Sequence, residues 1–113
     1  MIEQRDLILV PFPFSDQSGR KVRPVIVISN NKFNEKSNDV LVIGVTSNIS
    51  RDNYAIDLSN EGLEEGKLLT KCLIKVENLL KIDKELIIKK IGKIRKDKLK
   101  KIVDVLMKII GSD

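Results

Sequence analysis

Three cationic side chains, Arg20, Lys21 and Arg23, fall within four consecutive positions, and a hydroxyl and amide triplet, Thr46-Ser47-Asn48, ends an apolar run further along. Such groups suit a phosphate. A guanidinium can hold two phosphate oxygens at once and stabilise the extra negative charge of a phosphoryl transition state, while a neighbouring hydroxyl donates another hydrogen bond. The same residues are also compatible with plain strand ends that touch no ligand. The chain contains no histidine, which removes the imidazole acid/base pair and most zinc sites together. Cys72 lies in an apolar run with no histidine to activate it and reads as a small packed side chain. Asp16, Glu35, Asp39, Asp52 and Asp57 are scattered over loops and strand ends without a metal-ligand rhythm. No metal site and no cofactor are expected.

The elements that must position these groups are mostly strands. Residues 7 to 14, LILVPFPF, form a short β-type run in which Pro11 and Pro13 both lack an N–H, so this strand is expected to run along a sheet edge or break there. The loop SDQSGRK follows, with Gly19 free to take a positive φ. Residues 23 to 29, RPVIVIS, are dense in β-branched side chains and stop at the turn signal Asn30-Asn31. VLVIGVT at 40 to 46 repeats the pattern, and its glycine marks a bend or bulge. Residues 54 to 58 read as a half-buried strand and residues 60 to 66 as a turn. The stretch from 67 to 82 reads as strand with a bend near Asn78, and residues 86 to 94 as a last strand. Leu99, Ile102, Val103, Leu106, Ile109 and Ile110 then share one helical face over residues 97 to 110, with Asp97 as N-cap and Gly111 as the stop. Many short strands followed by one amphipathic helix predict a mostly β (α+β) chain. Its expected form is a small, strongly bent barrel with the C-terminal helix packed on it or closing one end.

At 113 residues the chain fits one domain, residues 1–113, with room for one core and burial incomplete enough to favour a homodimer. A single cysteine, and an opening MIEQRDLILV without the order of a secretory signal, point to a reducing, cytoplasmic compartment. No apolar run approaches the roughly 20 residues a membrane helix needs. Of the 21 Lys/Arg and 16 Asp/Glu, residues 84 to 113 hold ten and four, which leaves eleven and twelve for residues 1 to 83. The positive excess is therefore C-terminal, and it suits either a phosphate backbone or plain helix solvation.

DLILVPFPFSDQSGRKVRPVIVIS resembles the opening block of the MazF/PemK/Kid toxins: an aspartate, an apolar strand with proline and phenylalanine, a variable loop, then an arginine-proline that starts a second strand. VIGVTSN resembles their second block. GLEEGKLLTKCLIKVENLLKID and IIKKIGKI resemble the third block and the Ile-Gly strand, and LKKIVDVLMKIIG the closing helix. The resemblance implies an SH3-like barrel of the MazF/PemK/CcdB type, a homodimer, and a metal-independent endoribonuclease (mRNA interferase) of a type II toxin-antitoxin system. Its expected partners are single-stranded RNA and a cognate antitoxin.

Carried over by position, Arg23 and Thr46 match the family's catalytic pair. The ribose 2′-hydroxyl would attack the neighbouring phosphate to give a 2′,3′-cyclic phosphate. Phe14 for stacking, Ser18, Gly19 and Lys21 on the first loop, and Ser47 and Asn48 for base edges are expected substrate contacts. Arg5 stands where a glycine is common, Lys71-Cys72 where proline-serine is common, and Glu77 where aspartate is frequent. The alternatives are a CcdB-like gyrase poison, whose C-terminal tryptophan-glycine-isoleucine is absent here, and a non-catalytic nucleic-acid-binding barrel.

Overall fold

The computed structural model describes residues 1–12, 21–50 and 52–113. Among these, seven strands form one antiparallel sheet: β1 (Asp6–Phe12), β2 (Lys21–Val27), β3 (Asp39–Thr46), β4 (Ala55–Leu58), β5 (Leu63–Gly66), β6 (Cys72–Asp83) and β7 (Lys89–Ile94), with α1 (Asn31–Lys36) after β2 and α2 (Lys96–Ile110) at the end. The order across the sheet is β4-β6-β3-β2-β1-β7-β5.

The sheet has to curl. Its two edge strands, β4 and β5, are consecutive in the chain and joined through a single 3-10 turn, Asn60–Gly62. Laid flat, six inter-strand gaps would separate the edges by roughly 29 Å. The five-residue step from Leu58 to Leu63 reaches at most about 18 Å. The result is a strongly bent, barrel-like sheet whose edges are short and, in β5, charged, which limits pairing with other chains.

Both faces are buried, which is why the strands read as continuous apolar runs and not as alternating ones. On one face Leu7, Ile26, Ile43, Val45, Ile56, Ile74, Val76 and Ile94 pack with Ile102 of α2, and Leu99, Val105, Leu106 and Ile109 of the helix cover them. On the other, Ile8, Val10, Val25, Val27, Val40 and Val42 pack beneath Leu80, Ile82 and Ile87. Each fully buried Leu, Ile or Val contributes on the order of 1.5–3 kcal/mol.

The expected elements hold with five differences. First, β1 is interior, paired with β2 on one side and β7 on the other. Its pairing with β7 ends at Leu9, whose carbonyl accepts from the Ile88 N–H at 2.8 Å. Alternate residues face the same neighbour, so the ring nitrogen of Pro11 points to the side that β7 has already left, and the proline is tolerated there. Second, Asn30-Asn31 is a helix start: the Asn30 side chain accepts from the Phe33 N–H and caps α1. Third, the stretch expected as a turn at 60 to 66 contains β5, a strand by virtue of its pairing with β7. Fourth, β6 starts only at Cys72, not 67, and β7 only at Lys89, not 86. Fifth, α2 begins at Lys96, one residue early, so Asp97 lies in the first turn and pairs with Arg95 Nε at 3.0 Å while Arg95 takes the cap position without a side-chain bond. Gly111 ends the helix, donating to Met107 O at 2.8 Å, and of the expected helical face Val103 and Ile110 are exposed while Val105 packs on the core instead.

A charged cluster is packed into the end of the sheet where β1 meets β7. Asp6 is fully buried, one carboxylate oxygen accepting from the Glu3 N–H at 2.9 Å. The ammonium groups of Lys90 and Lys93 approach its other oxygen at 3.3 and 3.5 Å, within ion-pair range but without hydrogen-bond geometry. Lys93 also donates to Glu3 at 2.8 Å, and that bond raises the lysine pKa and lowers that of Glu3. Removing one partner of a buried pair leaves an uncompensated charge, at a cost of about 3–5 kcal/mol. Asp6→Ala is therefore expected to lower unfolding stability by about that amount in urea titrations. A loss under about 1 kcal/mol would show that the cluster is structurally idle.

Candidate active site

An open cleft of about 310 Å³ lies at the end of the sheet where β2, β3 and β6 meet. Strand register explains what converges there. β2 and β3 pair Val25 with Gly44, Ile26 with Ile43 and Val27 with Val42. Extending that register by two residues sets Arg23 across from Thr46, on the face shared by Val25, Val27, Gly44 and Val42. Both residues line the cleft, with Pro24 beside Arg23 and Val45 beside Thr46.

The third wall comes from an interruption in β6. Ile43 pairs with Leu79 while its neighbour Gly44 pairs with Lys75, which leaves Val76, Glu77 and Asn78 as an insert in the ladder. This is the bend expected from Gly44 and near Asn78. A Cβ on Gly44 would lie 3.4 Å from the Asn78 Cβ and 3.6 Å from its Nδ2, ordinary van der Waals distances that place Asn78 directly against β3. Val76 is buried in the main core and anchors the insert. Lys75 and Asn78 consequently face the cleft.

The connection between β3 and β4 supplies the rim. Asn48 N–H donates to Thr46 Oγ1 at 3.1 Å, Ser50 N–H donates to Asn48 Oδ1 at 3.1 Å, and both Asn48 and Ser50 line the cleft. Further along, Asp52 accepts from the Tyr54 N–H at 2.9 Å and from the Lys75 ammonium. Lys75 also lies 3.4 Å from Glu77. The hydrogen bond from Lys75, and then that from Tyr54, hold the Asp52 carboxyl below its ordinary pKa, and the same contact with Asp52 raises that of Lys75. The signs agree. The depressed carboxyl favours folding above its unfolded pKa and loses that contribution as pH falls, and the raised lysine loses its contribution only in the alkaline range. The pair is intact at neutral pH.

Of the residues singled out from sequence, Arg23, Thr46 and Asn48 meet in the cleft. Ser47 is exposed next to Thr46 but outside the lining, and Lys21 is exposed at the start of β2. Phe14, Ser18 and Gly19 lie outside the described residues. Sequence reasoning missed Lys75, Asn78 and Ser50. A signal for Lys75 existed, since a lysine inside the apolar run CLIKV has to point somewhere other than into a core. Among the described residues, no group of three or more Cys, Asp or Glu side chains is arranged to hold a metal ion, and no helix is long and apolar enough to cross a membrane.

With this geometry in hand, comparison with known proteins is informative. The family model described as PemK-like, MazF-like toxin of type II toxin-antitoxin system matches residues 3–110, and the chain belongs to that family. The fold is similar to that of the Mycobacterium tuberculosis toxin MazF-mt6, with a TM-score of 0.77, 14% identity, and coverage of 96% of this chain and 99% of that one. It is similar to MazF from Deinococcus radiodurans, with a TM-score of 0.78, 16% identity and coverage of 98% and 97%. A mycobacterial endoribonuclease in complex with its cognate antitoxin matches with a TM-score of 0.76, 13% identity and coverage of 100% and 98%.

Cys72 is a buried member of the main core, with its Sγ 3.4 Å from Thr70 O, and burial pushes its thiol pKa up. It is remote in character from a nucleophile. Alkylation of Cys72 in the native protein at neutral pH should run more than about tenfold slower than in urea. Equal rates would refute its packed role.

Proposed function

We propose that this toxin-family chain is an endoribonuclease that cuts single-stranded RNA without a metal ion, and that Arg23 and Thr46 carry the reaction. The observation that supports this most directly is their convergence on one open cleft, set by the register of β2 against β3. A chain without histidine can still cleave RNA, because the substrate brings its own nucleophile in the ribose 2′-hydroxyl. The 2′ oxygen bonds to phosphorus, the bond to the 5′ oxygen breaks, and the proton lost from the 2′-hydroxyl is matched by one gained at the 5′ oxygen. The products are a 2′,3′-cyclic phosphate and a 5′-hydroxyl.

What the protein supplies is alignment and charge stabilisation. Arg23 is half-buried on a paired strand, so its fork of donors is held near the scissile phosphate and can bind two of its oxygens. An arginine stays protonated at all working pH values, so its part is electrostatic and not that of a proton donor. Thr46 orients the phosphate, its Oγ1 already held by the Asn48 N–H. Asn48 and Ser50 on the rim offer hydrogen-bonding groups to base edges, the usual means of reading unpaired RNA. The reading includes a homodimer and a cognate antitoxin as partners, in keeping with the antitoxin seen on the mycobacterial relative.

The test is incubation of wild type and Arg23→Ala with a long single-stranded RNA in EDTA, with the fragment ends mapped. Wild type should yield discrete fragments ending in cyclic phosphate and 5′-hydroxyl, and Arg23→Ala should be slower by about a hundredfold to a thousandfold. Thr46→Val should slow cleavage in the same direction while leaving the fold intact by circular dichroism. Intact RNA with active wild-type protein would overturn the nuclease reading in favour of a binding module, and unchanged cleavage by Arg23→Ala would overturn the site.

A further inference from the structure

Among the described residues, Lys75 is the one cleft-lining residue besides Arg23 that carries a positive charge, and its setting differs from that of an ordinary phosphate-binding lysine. Two carboxylates already occupy it: Asp52 in direct contact and Glu77 at 3.4 Å. Lys75, Asp52 and Glu77 together sum to one negative charge, and of the three Lys75 lines the cleft. A phosphodiester approaching Lys75 has to compete with the two carboxylates. The three side chains are 23%, 34% and 38% exposed, so water reaches the pair, and ion pairs of this exposure are weak and exchange readily.

Which partner moves follows from the backbone. Lys75 is fixed in the ladder, paired with Gly44 on one side and Ala55 on the other. Asp52 belongs to the connection that precedes β4, outside the ladder, where its carboxylate also accepts from the Tyr54 N–H and its carbonyl from the Ala55 N–H at 3.5 Å. That same connection carries Asn48 and Ser50, which line the cleft.

We propose that Asp52 is a displaceable counter-ion: when single-stranded RNA enters, a backbone phosphate replaces Asp52 on the Lys75 ammonium, which makes Lys75 a second phosphate contact beside Arg23. The exchange is purely ionic, with one anion leaving the ammonium as another arrives. Release of Asp52 also loosens the connection that carries Asn48 and Ser50 as the bases reach it. The proposal rests on the RNA reading above and adds to it a residue that screens the cleft in the empty protein. The lowered pKa of Asp52, caused first by Lys75, gives the exchange an observable of its own.

The experiment uses the whole chain and a mixed-sequence 2′-O-methyl RNA oligonucleotide, which keeps the phosphates but has no 2′-hydroxyl to attack. Binding is read by fluorescence anisotropy over a series of salt concentrations, and the Asp52 carboxyl is titrated by carbon-13 NMR with and without saturating oligonucleotide. Asp52→Asn should tighten binding several-fold. Lys75→Met should weaken it and reduce the slope of log affinity against log salt by about 0.7, the loss of one single-strand phosphate contact. Saturation with oligonucleotide should move the Asp52 pKa up towards the ordinary carboxylate range. An Asp52 titration that saturation leaves unchanged, an Asp52→Asn variant that binds no better than wild type, or a wild type that does not bind the oligonucleotide would each overturn the exchange. Cleavage of unmodified RNA is scored separately. A protein that cuts RNA with no Asp52 exchange sinks this proposal alone, and one that shows the exchange yet cuts nothing sinks the nuclease and keeps the exchange.

Discussion

The break in register between β3 and β6 is the constraint on which the cleft depends. A regular ladder would continue from Ile43↔Leu79 to Gly44↔Asn78, and Lys75 would then lie three residues beyond its present partner. Inserting Val76, Glu77 and Asn78 moves Lys75 up against Gly44 and bends β6, because an unpaired insert increases local twist. Val76 secures the insert by burying its side chain in the core, and Asn78 packs against Gly44. One irregularity thus contributes to the curl and brings the third wall of the cleft against Arg23 and Thr46.

The opposite end of β1 solves a different problem. There the buried Asp6 needs cations, and β7 supplies Lys90 and Lys93 across the strand pair. The chain enters this strand through Arg5, whose φ of 79° lies in the left-handed region that favours glycine. This accounts for the glycine common at that position in the family that the sequence resembles. Arginine is accommodated because its guanidinium donates to Ile94 O at 2.9 Å and to Glu64 at 3.1 Å, contacts that no glycine could make. Backbone strain of about 1–2 kcal/mol is set against these bonds. β1 therefore links a charge-locked end, where the chain begins, to the cleft end, where it pairs with β2 at Val10↔Arg23.

Legibility of the fold in the sequence follows from which forces make each element. Strands β2 and β3 and helix α2 announce themselves, since VIVI, VLVIGV and the helix's apolar spacing express core burial directly. β5 does not: LEEG has turn composition and becomes a strand only because β7 offers a free edge, a tertiary effect that no local pattern records. α1 is too short for periodicity to show, and only its cap, Asn30, was visible, where it read as a turn. Arg23 and Thr46 were legible as a pair through family resemblance, and their shared face follows from register. Lys75 was hidden, because its place in the cleft depends on an insert whose length is fixed by three-dimensional pairing and not by residue type.

The two cations of the cleft are of different kinds, and the difference bears on what each can do. Arginine at position 23 presents a rigid, delocalised fork that is weakly hydrated. Lysine at position 75 is a compact charge on a flexible stem, and two carboxylates share it. The non-specific part of nucleic-acid binding grows with each uncovered charge, and in the proposed exchange a phosphate has to compete with Asp52 for the Lys75 ammonium. Asp52 and the rim residues Asn48 and Ser50 lie on one connection, so the proposed exchange would couple affinity for a nucleic-acid backbone to contact with its bases through a short piece of chain, and a substrate whose bases fit the rim would offset the cost of displacing Asp52 better than one whose bases do not.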